Sequence, residues 1–116
     1  MHRTILSLAL ILISSAAQAE AQKLSGPEIT ALLSDHTLGG TGGDGKAWQQ
    51  IFQKSGVTYY SAGGAQSQGN WEVRGDQYCS QWPPNQSWAC YDMTQEDGTY
   101  AFISASGERT SGKLLN

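Results

Sequence analysis

The residues with which this 116-residue chain could do chemistry are few: Cys79 and Cys90, His2 and His36, and ten Asp and Glu. A serine nucleophile would need His36 as its base and an oriented carboxylate, and no local signature singles out any serine for that role. Paired carboxylates on a β scaffold hydrolyse glycosidic bonds. Asp76 and Asp92 are the acids that a short hairpin brings toward each other, and the same positions suit solvated surface groups. No catalytic constellation emerges, and no cofactor is expected.

The two cysteines have three uses open to them. A zinc site would want two further ligands, and His36 alone is at hand beyond the first few residues. The spacing is not the Cys-x-x-Cys of a redox pair. A disulfide remains, the ordinary state of two cysteines in an oxidising compartment, and it occupies both thiols.

Three short patterns resemble functional motifs. Gly40-Thr41-Gly42-Gly43-Asp44-Gly45-Lys46 matches Gly-x-Gly-x-x-Gly and most of a phosphate loop, but Ala47 stands where a hydroxyl would hold magnesium. Such loops also need a following helix, whereas Ala47 to Phe52 reads as strand. A glycine-rich hairpin turn is the expectation. Arg74-Gly75-Asp76 spells an adhesion tripeptide where a tight turn is expected in any case. Asn85-Gln86-Ser87 is a formal glycosylation acceptor at a hairpin tip.

Aromatic residues are the remaining lead. Trp82 and Trp88 bracket Pro83-Pro84-Asn85-Gln86, with Tyr59, Tyr60, Tyr78 and Tyr91 elsewhere in the strands. Rings beside polar amides make a shallow platform for a glycan or peptide, and the same rings serve equally to fill a small core. Trp82, Asn85, Gln86 and Trp88 form the candidate ligand or partner surface.

The elements that must position these residues follow from the pattern. Ser25 and Glu28 form a capping box around Pro27, and Ile29, Leu32 and Leu33 give one apolar face, so a short helix runs to about Ser34-Asp35. From His36 onward, short runs of aromatic and β-branched residues alternate with Gly, Asp, Asn and Pro. Strands are expected at 36–41, 46–53, 57–62, 67–74, 77–82, 87–93, 99–104 and 108–114. The connections are too short for parallel crossovers. The fold class is therefore mainly β: an antiparallel up-and-down meander of about eight strands, curled into a small barrel or a strongly curved sheet, with one short helix docked on it. A hairpin turn centred between Pro84 and Asn85 sets Cys79 opposite Cys90 and Tyr78 opposite Tyr91.

The start of the chain reads as an export signal. Arg3 precedes an apolar run from Ile5 to Ile13, broken by Ser7, and Ala17-Gln18-Ala19 supplies the small-x-small cleavage pattern. Nine positions fall well short of the roughly 20 that span a bilayer. Cleavage is expected before Glu20. Residues 1–19 are then a removed signal peptide, 20–24 a loose leader, and 25–116 one disulfide-stapled domain without a membrane span. Loss of Arg3 leaves six Lys and Arg against ten Asp and Glu, a net charge of −4. That balance argues against nucleic acid or an anionic membrane as partner.

The order of Leu24-Ser25-Gly26-Pro27-Glu28-Ile29, Asp44-Gly45-Lys46, Gly69-Asn70-Trp71-Glu72-Val73-Arg74-Gly75-Asp76 and the two-cysteine segment resembles a group of small exported proteins of proteobacteria. The resemblance covers roughly residues 24 to 115 and implies a periplasmic address and the bridge. It carries no activity. The expectation is a non-enzymatic periplasmic binding or accessory module that contacts an envelope protein or a glycan. The alternatives are an inhibitor of a cell-wall-degrading or proteolytic enzyme, and a small carboxylate-dependent hydrolase.

Overall fold

A helix cap of the expected kind opens the domain. Ser25 accepts the Glu28 backbone N–H on its hydroxyl at 3.3 Å, and the Glu28 carboxylate accepts the Ser25 N–H at 3.0 Å. Hydrogen bonding to the carboxylate from the Ser25 backbone N–H, and then from the Ser25 side chain, holds the Glu28 carboxyl below the ordinary carboxylate range. The helix, α1, runs Gly26–Leu33 and buries Gly26, Ile29 and Leu33. At its far end Asp35 takes the left-handed conformation, with φ 61°. Its N–H donates to the Phe52 carbonyl at 2.7 Å, and its carboxylate accepts the Lys54 N–H at 2.9 Å.

The computed structural model describes residues 21–116. The expected signal peptide and its cleavage point before Glu20 lie outside the described residues. No helix among the described residues is long and apolar enough to cross a membrane.

The remaining elements are strands: β1 Gln22–Lys23, β2 His36–Thr41, β3 Ala47–Phe52, β4 Val57–Ala62, β5 Ala65–Arg74, β6 Gln77–Gln81, β7 Trp88–Glu96, β8 Thr99–Ile103 and β9 Arg109–Leu114. Every pairing is antiparallel, and β2 to β9 follow one another around a closed eight-stranded barrel. The barrel closes through Leu38↔Leu114 and Gly39↔Lys113, with Leu115 N–H donating to the Thr37 carbonyl at 2.8 Å just beyond. Closure removes the exposed strand edges that an open meander would present.

One expectation is corrected. In place of a loose leader, Gln22 and Lys23 pair with Gln95 and Thr94 of β7, and Leu24 is buried with its N–H on the Met93 carbonyl at 2.8 Å. The reason lies in β7, which runs three residues further than the pattern suggested. β6 covers one edge of β7 only as far as Tyr91, and β1 takes up the edge beyond it.

Side chains alternate between the barrel interior and its outer wall. The interior near α1 is packed solid by Ile29, Leu33, Leu38, Phe52, Trp71, Tyr78, Met93 and Phe102. Phe52 is the hub, its ring 5.8 Å from Trp71, 5.6 Å from Tyr78 and 6.3 Å from Phe102. The helix closes this end of the barrel, where β3 turns into β4 and β5 into β6. Its first N–H, from Gly26, donates to Asp76 Oδ1 at 2.7 Å, and a Cβ at Gly26 would collide with the Gly75 carbonyl. Among the described residues the opposite end has no such plug.

Candidate functional site

The unplugged end holds a cavity of about 270 Å³, open to solvent. Trp48 from β3, Tyr60 from β4 and Trp82, the residue after β6, form one wall. Tyr91, Phe102 and Thr110, from β7, β8 and β9, form the other, and Gln50, Tyr78 and Ser80 complete the lining.

The cavity exists because of what stands opposite the two indoles. A Cβ on Gly40 would lie 3.3 Å from Trp48 Nε1, and one on Gly112 would lie 2.9 Å from Trp48 Cζ2. A Cβ on Gly69 would lie 2.6 Å from Trp82 Cε3. Each indole therefore lies against a stretch of wall without a side chain, instead of crossing the barrel as Phe52 does lower down. The rings also hold one another: Trp48 stacks on Tyr60 with centroids 6.1 Å apart, and Tyr60 meets Trp82 edge-on at 6.3 Å. The result is a continuous aromatic arc, an arrangement of offset and edge contacts that ring quadrupoles favour.

The polar groups of the floor are bonded among themselves. Gln50 Nε2 donates to Thr58 Oγ1 and to Tyr78 Oη, both at 2.9 Å, and Thr58 passes its own hydroxyl proton to the Ile51 carbonyl at 2.8 Å. Trp82 Nε1 donates to Ser80 Oγ at 3.2 Å. By contrast, Trp48 Nε1 is buried without a partner among the described residues. It lies against the Gly40 stretch of the wall, closed off from the cavity.

Burial pushes the Tyr78 phenol up to about 12, against the pull of its contacts with Ser80 and Gln50. The fold prefers the neutral phenol, so its contribution is complete below pH 10, the ordinary tyrosine value, and is lost as pH rises through 12. The loss reaches about 2 kcal/mol at the folded pKa. Urea denaturation at pH 9 and pH 12 should therefore show wild type losing about that much more stability than Tyr78→Phe. Equal losses in the two proteins would mean that the phenol is not buried as described.

The residues singled out from sequence fall in three places. Cys79 and Cys90 are bridged, with Cα atoms 4.0 Å apart, directly across β6 and β7 and with Tyr78 opposite Tyr91. Trp82 turns into the barrel mouth. Trp88 pairs with Gln81 on the outer face instead, where the Arg74 guanidinium lies 4.7 Å over its ring and is itself paired with Glu72 at 2.7 Å. The two tryptophans thus belong to opposite faces of the hairpin and make no common platform. Asn85 and Gln86 are occupied locally: Asn85 Oδ1 accepts the Ser87 N–H at 2.9 Å, and the Gln86 carbonyl accepts Gln81 Nε2 at 2.9 Å.

The other sequence patterns are structural. Gly40 to Lys46 ends β2 and turns into β3, with Asp44 Oδ1 accepting the Lys46 N–H at 2.9 Å. Asp76 anchors the helix, and Asp92 accepts from Gln77 Nε2 at 3.1 Å and faces Lys23 at 3.5 Å. Among the described residues no group of three or more His, Cys, Asp or Glu is placed to hold a metal ion.

Sequence reasoning passed over Trp48, Gln50, Phe102 and Thr110. The signal that marks them is the set of glycines at inward positions of three different strands, which shows only once the strands are aligned. No protein-family description, curated protein or solved structure matches this chain.

Proposed function

We propose that this domain is a non-enzymatic binding module of the periplasm or extracellular space, and that it holds a small molecule in the open end of its barrel. The observation that carries the reading is the hollow, ring-walled mouth, set above a core that is packed solid at the other end. Eight-stranded barrels have room inside for either packed side chains or one small ligand, and this interior divides between the two. The Cys79–Cys90 bridge and the leader-like start of the chain support an oxidising, exported setting. No carboxylate of the described residues lines the cavity, which gives the hydrolase reading no support there.

The test is retention. Mature protein is incubated with the small-molecule fraction of an envelope extract, washed and denatured, and the released compounds are weighed by mass spectrometry. Thr110→Trp, a substitution at an exposed position of the mouth, fills the cavity with little disturbance to the fold. Wild type should retain a compound in near-stoichiometric amount, and Thr110→Trp should lose at least nine-tenths of it. Retention by neither protein, or equal retention by both, would refute the reading.

A further inference from the structure

We infer that the mouth takes an uncharged, flat compound of about two fused rings bearing one or two hydrogen-bonding groups, in preference to a sugar or an ion; this rests on the binding reading above. Three observations lead there.

The first is charge. Among the described residues no Asp, Glu, Lys or Arg lines the cavity, although the chain carries seventeen of them. An ion that enters such a site loses its water and gains no counter-charge, which is costly. Tyr78 reports the same property from inside, since burial there resists formation of a phenolate.

The second is that the polar groups at the floor of the cavity are largely engaged. Gln50, Thr58, Ser80 and the Trp82 N–H already bond within the protein. A monosaccharide brings several hydroxyls, and those that reached this floor would be left short of partners at a cost in free energy. A compound with one acceptor asks much less. Tyr60, Tyr91 and Thr110, which line the cavity, carry hydroxyls that can serve such a group.

The third is shape and size. The arc of Trp48, Tyr60 and Trp82 presents ring surfaces, which match flat molecules by stacking and edge contacts. A cavity of about 150 Å³ holds a benzene, and this one is about 270 Å³, enough for a bicyclic ring with a short substituent.

Three probes separate the alternatives: indole-3-acetamide, its isosteric anion indole-3-acetate, and N-acetylglucosamine. Each is titrated at pH 7 into the mature protein by calorimetry and followed by NMR at the four tryptophan Nε1–H signals. Indole-3-acetamide should bind at one site and shift the signals of Trp48 and Trp82 while leaving that of Trp88, on the outer wall, in place. Indole-3-acetate and the sugar should each bind at least tenfold more weakly. Thr110→Trp should abolish the acetamide binding. If the acetate or the sugar binds as tightly as the acetamide and Thr110→Trp still blocks it, the mouth is the site and the ligand class is wrong. If no probe shows binding that Thr110→Trp abolishes, the ligand class falls, and the binding reading is then decided by the retention experiment alone.

Discussion

Phe52→Ala should cost about 3–5 kcal/mol of folding stability, the usual range for truncating a buried aromatic. Phe52 is fully buried and meets three other rings. Its own backbone carbonyl accepts the Asp35 N–H at the end of β3. Total stabilities of small domains are about 5–15 kcal/mol, and each kcal/mol moves the melting temperature by about 4–8 °C at this size. A drop on the order of 20 °C is therefore expected by calorimetry or circular dichroism, with Phe52→Leu losing much less because it keeps most of the volume. A loss below about 1 kcal/mol would mean that the floor of the barrel is not the solid plug described. The same variant bears on function, since Tyr78 and Phe102 pack on the Phe52 ring and also line the cavity.

This division of the barrel into a packed floor and a hollow mouth was only half legible in the sequence. The floor announces itself locally: the Ser25–Glu28 cap, the spacing of Ile29 and Leu33, and the alternation in β3 are all short-range patterns. The register of the cysteine hairpin was legible for the same reason, because a short loop between two strands leaves little freedom. Closure was not, because it rests on Leu38 meeting Leu114 and Gly39 meeting Lys113, residues far apart in the chain with nothing in their types to pair them. β1 escaped notice because two residues are too few to show a period.

The tryptophans illustrate a different failure. With Cys79 opposite Cys90, Trp88 stands opposite Gln81, and Trp82 is the next residue along from Gln81. Successive residues of a strand point to opposite faces, so the same register that paired the cysteines already separated Trp82 from Trp88. Proximity in sequence suggested a platform where the strand period forbids one. The mouth itself needs Gly40, Gly69 and Gly112 to be seen as neighbours of Trp48 and Trp82, and that adjacency is a property of the closed barrel alone.

Replacing both cysteines, in Cys79→Ala/Cys90→Ala, should lower stability by about 3 kcal/mol through the added freedom of the unfolded chain. At about 4–8 °C per kcal/mol, the melting temperature should fall by roughly 10–20 °C. The bridge spans 11 positions of sequence and joins strands that are already hydrogen-bonded to each other. In the folded barrel β6 is also held by β5, and β7 by β8 and β1. Tyr78, Ser80 and Tyr91, which flank the bridge and line the mouth, should therefore keep their places without it. The double variant should bind indole-3-acetamide as wild type does, within about twofold, at temperatures well below its own melting point. An unchanged melting temperature would mean that the bridge does not constrain the unfolded chain. Lost binding in a protein that is still fully folded would assign the bridge another task, that of holding Trp82 against Gly69, and would make the state of the mouth depend on the redox state of its surroundings.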